Sequence, residues 1–258
     1  METPHPLTCR SEDRSANPGP VGKRITTALV KKWKCTLKML LTSAGVRNPS
    51  IQTALVGLLG KPTAECNALA ISTASHGHPM AGPPRAWEFY SGRPTETPMV
   101  ELGWKSVGVL ELTALPSLGK DRWLPWVEQA DVLLVNGGDT LFLAYWMRQS
   151  GLDELLPTLD IVWVGLSAGS MVMTPRIGQD FVIWTPPGGG DDALGFVDFS
   201  IFPHLDHPML PSNTLANAEK WAAGLGNPAY AIDDETAFKV VDGEIEVISE
   251  GNWKQLTP

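Results

Sequence analysis

The sequence predicts an α/β protein built on a mostly parallel, doubly wound sheet. Short apolar runs that look like buried strands alternate with amphipathic helical patterns along most of the chain. The strand runs are almost continuously apolar, which is typical of parallel strands covered by helices on both faces. Several of these runs end in small or hydroxyl residues, as expected at the carboxyl edge of such a sheet, where ligands bind.

Five apolar segments are predicted as strands of this sheet. They are residues 38–45, 67–73, 106–112, 131–135 and 161–166. The helical patterns between them, one of them broken, are residues 49–59, 84–102, 122–129 and 140–156. Residues 229–249 are β-rich, and Asp242-Gly243 between two apolar runs predicts a tight turn. A C-terminal β-hairpin therefore completes the predicted fold.

The first 37 residues differ in composition from the rest of the chain. They are polar, contain several prolines, and hold seven of the twenty basic residues against three acidic ones. This composition predicts a disordered N-terminal extension, residues 1–37, followed by a single α/β domain, residues 38–258. The run Lys31-Lys32-Trp33-Lys34 leaves open a basic helix that binds a partner.

The charge, the apolar runs and the cysteines of the chain indicate which partners and which compartment to expect. The formal net charge of −8 argues against nucleic acid or an anionic membrane surface as the main partner. No apolar run approaches the ~18 residues of a membrane span, and the N-terminus lacks a signal-peptide pattern. Cys9, Cys35 and Cys66 have no metal-ligand spacing, and their odd number fits reduced thiols. We therefore expect a cytoplasmic protein without metal or cofactor, either a monomer or a homodimer.

The most informative motif lies at the end of the fifth predicted strand. Residues 161–170 (IVWVGLSAGS) run from an apolar strand through a turn into a second apolar segment. Small residues on both sides of Ser167 permit a sharp turn that places its side chain at the strand tip, beside a helix N-terminus. Ser167 is therefore a candidate nucleophile. Two alternatives stay open: a serine-glycine turn without chemical use, and the GxSxG turn of an esterase-like α/β-hydrolase.

A serine nucleophile needs a base, and a carboxylate usually orients that base. Only His204 and His207 follow Ser167, and His204 comes directly after an apolar run, where the sheet edge is expected. His76 and His78 follow the second predicted strand and are ranked below His204 as base, with substrate binding as their expected role. The carboxylates considered as the third member are Asp180, Asp206, Asp233, Asp234 and Glu235.

Four blocks of the chain, matched in order and spacing, resemble the peptidase E and cyanophycinase family of serine peptidases. The blocks are residues 135–140 (VNGGDT), 165–170 (GLSAGS), 202–204 (FPH) and 232–237 (IDDETA). The likeness runs from about residue 39 to the C-terminus and is greatest to the dipeptidase E-like branch. It implies a sheet like that of class I glutamine amidotransferases, with serine in place of their cysteine, and short peptides as substrates.

The resemblance also implies roles for individual residues. Ser167 would be the nucleophile and His204 the base, with Asp234 as the first candidate for the carboxylate and Asp180 as the second. The backbone N–H groups expected to form the oxyanion hole belong to Gly137, Gly138 and Ala168. Asp139 and Thr140 of the first block are also expected to contact substrate, as are, from their positions in the sequence alone, His76 and Trp184, which precedes the Pro186-Pro187-Gly188 loop.

In one segment the chain departs from the aspartyl dipeptidases of this family, which use an arginine after the histidine to bind an N-terminal aspartate. Residues 211–223 (PSNTLANAEKWAA) contain no arginine and only Lys220, and an ammonium is not equivalent to a planar guanidinium. Strict preference for aspartate is therefore not expected. An esterase-like hydrolase would need a histidine near the C-terminus, yet none follows His207. A binding module that keeps the turn without activity stays open.

Overall fold

The computed structural model describes residues 37–256. Apart from Leu37, the predicted N-terminal extension with its basic run lies outside the described residues. The division into an extension and one α/β domain therefore stays a prediction. No helix within residues 37–256 is long and apolar enough to cross a membrane.

The described residues form ten strands, eight α-helices and four short 3-10 helices. The strands are β1 (Lys38–Thr42), β2 (Asn67–Ile71), β3 (Ser106–Val109), β4 (Val132–Val135), β5 (Val162–Leu166), β6 (Ser200–Phe202), β7 (Ala229–Ile232), β8 (Thr236–Val241), β9 (Glu244–Ser249) and β10 (Trp253–Leu256). The α-helices are α1 (Pro49–Leu59), α2 (Thr73–Gly77), α3 (Gly82–Tyr90), α4 (Lys120–Glu128), α5 (Thr140–Ser150), α6 (Leu152–Leu155), α7 (Ala168–Met171) and α8 (Leu215–Ala223). The 3-10 helices are Thr63–Glu65, Leu112–Ser117, Leu156–Thr158 and Gln179–Phe181.

The central sheet has seven strands in the order β3-β2-β4-β5-β1-β8-β9. Strands β1 to β5 are parallel to one another, and β8 pairs antiparallel with β1 and with β9. The turn between β8 and β9 has φ of 52° at Asp242 and 82° at Gly243, the two positive angles that a type I′ turn requires. The predicted mostly parallel sheet and its C-terminal hairpin are confirmed.

Both faces of this sheet are buried along the central strands, as their apolar runs predicted, whereas the edge strands β3 and β9 are largely exposed. Alternate residues of β5 belong to different hydrophobic clusters, with Trp163 on one face and Val162 and Val164 on the other. Each large apolar side chain buried in this way stabilises the fold by about 1.5–3 kcal/mol. The core thus holds the carboxyl ends of the central strands in fixed positions.

A second, three-stranded sheet has the order β10-β7-β6, and α8 packs against it. Phe202 of β6 and Trp221 of α8 stack edge to face, with ring centroids 5.4 Å apart. These strands have only three or four residues each, too few for a strong periodic signal in the sequence. The small sheet positions the site because His204 follows β6 and Asp234 follows β7.

Candidate active site

Ser167 lies on a sharp turn between β5 and α7. Its backbone has φ of 50° and ψ of −110°, a strained conformation for a residue with a Cβ atom. A Cβ on Gly165 would collide with the carbonyl oxygen of Gly169, and a Cβ on Gly169 would collide with that of Val135. The two glycines of the GxSxG pattern are therefore needed for steric reasons, and the Ser167 side chain is left half-buried at the tip of β5.

His204 and Asp234 form a hydrogen-bonded pair. The distance from His204 Nδ1 to Asp234 Oδ1 is 2.7 Å, and the two side chains are 20% and 13% exposed. Burial alone would raise the pKa of the Asp234 carboxyl, but the hydrogen bond and charge of His204 bring that pKa below its ordinary value. Ser43 and His207 act in the same direction. An ionised Asp234 that accepts the Nδ1 proton leaves Nε2 able to act as a base.

Strand β1 connects Ser167 to this pair. It lies between β5 and β8 in the sheet, and the backbone oxygen of Thr42 at its end accepts the N–H of Ser167 at 3.1 Å. The next residue, Ser43, donates its hydroxyl to Asp234 Oδ1 at 2.9 Å. Within residues 37–256 the Ser167 hydroxyl and His204 Nε2 make no hydrogen bond, and catalytic contacts of this type commonly tighten only when substrate is bound.

Unpaired backbone N–H groups adjoin Ser167. Among the described residues, those of Gly138 and Ala168 have no hydrogen-bond partner, whereas the N–H of Gly137 donates to the side-chain oxygen of Asn136 at 2.8 Å. Gly137 packs closely against the serine, since a Cβ built on it would lie 3.3 Å from Ser167 Cβ. Of the three predicted oxyanion donors, Gly138 and Ala168 therefore have N–H groups without a protein partner, and Gly137 donates to Asn136.

Asp139 and Thr140 are buried at the start of α5. Asp139 is 2% exposed, and its two oxygens accept the N–H groups of Phe142 and Trp184, each at 2.7 Å. Burial raises the pKa of the Asp139 carboxyl, although these hydrogen bonds oppose the shift. The Thr140 hydroxyl points to Met171 Sδ at 3.9 Å. Asp139 thus caps α5 and holds the Trp184 segment, while substrate contact by either residue stays a prediction.

The other predicted site residues make no hydrogen bond or ion pair with His204 or Asp234 in the part of the chain that the structure describes. Asp180 is exposed on the 3-10 helix Gln179–Phe181. His76 is exposed on α2, with Nε2 3.7 Å from Glu111 Oε2. Trp184 is half-buried and stacks edge-on against Phe142, with ring centroids 5.3 Å apart. Of the two carboxylates ranked highest in the sequence, Asp234 is the one that contacts His204.

Sequence reasoning missed two polar residues of this site, Ser43 and Arg47. Ser43 contacts both His204 and Asp234. Arg47 places Nη1 3.3 Å from Asp234 Oδ2 and Nε 3.2 Å from Glu235 Oε1. Ser43 lies near the end of the first predicted strand, residues 38–45, and Arg47 comes two residues after it, at the sheet edge where Ser167 was expected. Their position was the available signal, but the segment was interpreted only as a small-residue turn.

A cavity of about 380 Å³ opens beside Asp234. His207 lines it and places Nε2 3.6 Å from Asp234 Oδ2, so a histidine faces each oxygen of this carboxylate. The charged residues Arg47, Glu96, Asp206 and Glu235 are among the others that line the cavity. Within residues 37–256 no group of three or more His, Cys, Asp or Glu residues could hold a metal ion.

Sequence comparison relates the chain to bacterial peptidases. Residues 39–248 match the model of peptidase family S51. Peptidase E of Salmonella arizonae is 28% identical over 188 residues, which span 69% of this chain and 71% of that protein. Peptidase E of Salmonella typhimurium is 29% identical over 188 residues, which also span 69% of this chain and 71% of that protein.

Solved structures share the fold. A peptidase E protein from Listeria monocytogenes superposes with a TM-score of 0.58 at 19% identity, covering 83% of this chain and 98% of that one. A peptidase from an acI-B1 Actinobacterium has a TM-score of 0.56 at 17% identity, and the match covers 88% of this chain and 96% of that one. Together with the family match over residues 39–248, these likenesses confirm the resemblance predicted from the sequence motifs: the chain belongs to peptidase family S51.

Proposed function

We propose that this chain is a serine peptidase that hydrolyses dipeptides and other short peptides through an acyl-enzyme on Ser167. The observation that carries the proposal is the 2.7 Å hydrogen bond between His204 and Asp234. It lies beside the end of β1, to which the Ser167 turn is also bonded. Membership of family S51 supports a peptide substrate, and the relatives named peptidase E support a similar activity.

In the proposed first step, Ser167 Oγ attacks the carbonyl carbon of the scissile peptide bond. Its proton passes to His204 Nε2, and the negative charge of Asp234 stabilises the imidazolium that forms. The carbonyl oxygen becomes an oxyanion, which the N–H groups of Gly138 and Ala168 bind. Removing one such donor typically lowers turnover by about 100- to 1000-fold.

The tetrahedral intermediate then collapses. The C–N bond breaks, the imidazolium of His204 gives its proton to the leaving amine, and an ester between Ser167 and the acyl group remains. A water molecule attacks this ester while His204 accepts one of its protons. The second tetrahedral intermediate releases the carboxylic acid, and the proton returns to Ser167 Oγ. Water is the only co-reactant that the sequence of steps consumes.

For specificity, we propose that the enzyme accepts N-terminal aspartate without requiring it. Lys220 is the only basic residue between residues 211 and 223 and is exposed on α8. The Arg47 guanidinium already pairs with Asp234 and Glu235. Neither position therefore offers a free planar group for a bidentate contact with the carboxylate of a substrate side chain.

The first test is labelling with a fluorophosphonate probe, followed by a dipeptide library and simple esters. We expect labelling of the wild type, none in Ser167→Ala, and full labelling in Ser212→Ala, which changes an exposed serine. We expect Asp-X and neutral X-X dipeptides to be hydrolysed at rates within about tenfold of each other, because no bidentate guanidinium contact favours the aspartate side chain. Labelling that persists in Ser167→Ala, or turnover of esters but not of peptides, would contradict the proposal.

A further inference from the structure

Ser43 is a fully buried serine between the two halves of the proposed catalytic machinery. It follows β1 directly, is 0% exposed, and donates its backbone N–H to the oxygen of Thr236 at 3.3 Å. The carbonyl oxygen of the preceding residue, Thr42, accepts the N–H of Ser167 at 3.1 Å. Two consecutive residues therefore bond to the nucleophile turn on one side and to the histidine–carboxylate pair on the other.

The Ser43 hydroxyl makes two short hydrogen bonds to that pair. Its O–H group donates to Asp234 Oδ1 at 2.9 Å, and its oxygen accepts the backbone N–H of His204 at 2.8 Å. It also lies 3.4 Å from His204 Nδ1. The hydroxyl has one proton, and it donates this proton to Asp234 Oδ1. His204 Nδ1 therefore keeps its own proton and donates it to Asp234 Oδ1 as well. Oδ1 thus receives two donors and is fixed in position.

The bond to the His204 backbone has a second effect. His204 has φ of 58°, a left-handed conformation that non-glycine residues adopt only when their surroundings hold them there. The Ser43 oxygen is the acceptor for the N–H of this residue. Without that acceptor, the segment that follows β6 loses a restraint on the direction in which the imidazole points.

We propose that Ser43 is a positioning residue that holds Asp234 and His204 in the orientation in which Nε2 takes the proton of Ser167. This inference rests on the proposed function. Ser43 supplies no acid, base or substrate contact. Its removal leaves the reacting groups in place but frees the carboxylate to turn and the imidazole to tilt, which lowers the fraction of molecules in a reactive geometry.

The test compares Ser43→Ala with wild type in dipeptide hydrolysis and in the rate of fluorophosphonate labelling. A hydrogen bond to a charged group sets the expected size of the effect, a loss of about 10- to 100-fold in kcat. We expect KM to change by less than about twofold, since no substrate contact is removed. The labelling rate should fall by the same factor as kcat. Ser43→Cys keeps a weak donor and should fall between the two proteins.

Ser200→Ala is the matched control. Ser200 is also 0% exposed and makes two hydrogen bonds, to the oxygen of Arg176 at 2.6 Å and from Asn227 Nδ2 at 3.1 Å. It bonds to neither His204 nor Asp234. The control variant should lose thermal stability as Ser43→Ala does, while its kcat stays within about twofold of wild type.

The possible outcomes separate the two proposals. Wild-type kcat and labelling rate in a folded Ser43→Ala would overturn the positioning role, as would an equal kcat loss in Ser200→Ala. If Ser43→Ala does not fold, Ser43→Cys decides: a folded variant with reduced kcat supports the role, and one with full kcat overturns it. A wild type that neither hydrolyses peptides nor labels at Ser167 would refute the proposed function, and the role of Ser43 would fall with it.

Discussion

Arg47 binds the oxygen of Asp234 that His204 leaves free: its Nη1 lies 3.3 Å from Oδ2, whereas the histidine contacts Oδ1. Oδ1 also accepts the hydroxyl of Ser43, and Oδ2 faces His207 at 3.6 Å. Each oxygen of the carboxylate therefore has two partners. Rotation of the carboxylate would break contacts on both sides, so the hydrogen bond to His204 is held in one geometry.

Replacing Arg47 with methionine should lower kcat by about threefold to tenfold, because the guanidinium is partly exposed and its ion pairs are screened by water. Wild-type kcat should also fall when NaCl is raised from about 0.05 to 0.5 M, since salt weakens such pairs, and the variant should lose this dependence. Steady-state kinetics at the two salt concentrations measure both effects. Arg85→Met breaks an exposed pair with Glu88 on α3 and serves as the control. A variant that keeps the wild-type salt response would refute a role of Arg47 in the site.

Asp234→Asn should keep the fold and lower kcat by about 1000- to 10000-fold, the size of effect seen when an amide replaces a triad carboxylate. The amide lacks the charge that stabilises the imidazolium and can favour the wrong tautomer of His204. Kinetics of Asp234→Asn and Asp180→Asn on one dipeptide distinguish the two candidate carboxylates. A larger loss in Asp180→Asn would identify Asp180 as the acid in place of Asp234.

Asp234 should also make the stability of the fold depend on pH in the acid range. Its folded-state pKa is lowered by His204 and Ser43 against the opposing effect of burial, whereas an unfolded aspartate titrates near ~3.9. The contribution of Asp234 is therefore fully present above the unfolded pKa and is lost as pH falls through the lower folded pKa. Urea unfolding of wild type and Asp234→Asn between about pH 3 and 6 measures this contribution as a difference. The difference should shrink as pH falls below about 4; a difference that increases as pH falls through this range would contradict the assignment.

The Ser167 turn could be predicted from the sequence because the residues that form it are contiguous. Strand, glycines, serine and helix lie within ten residues, and the two glycines meet backbone carbonyls that belong to the same turn or to the neighbouring β4. His204 was found for a similar reason, as a polar residue directly after an apolar run. Local pattern and strand polarity sufficed to place both at one edge of a sheet.

The network around Asp234 could not be predicted in the same way. Ser43 and Asp234 are 191 residues apart in the chain and meet because β8 pairs antiparallel with β1. Strand order depends on tertiary packing, and no local pattern encodes it. The small sheet of β6, β7 and β10, which positions His204 and Asp234, has strands too short to show a period. The pairing of Arg47 with the Asp234 carboxylate could not be predicted either, because it also depends on the order of the strands.

Asp139 illustrates a different kind of omission, and it gives a final prediction. An aspartate directly before a helix is a typical N-cap, yet Asp139 was predicted to contact substrate. The structure shows both oxygens bonded to backbone N–H groups, those of Phe142 and Trp184. Asp139→Asn offers one oxygen and one NH₂ group, so one of the two N–H groups would face another donor. We expect a loss of about 1–3 kcal/mol in the free energy of unfolding, measured by urea denaturation. KM should change little if Asp139 only holds the Trp184 segment, whereas a large rise in KM with unchanged stability would show that it contacts substrate instead.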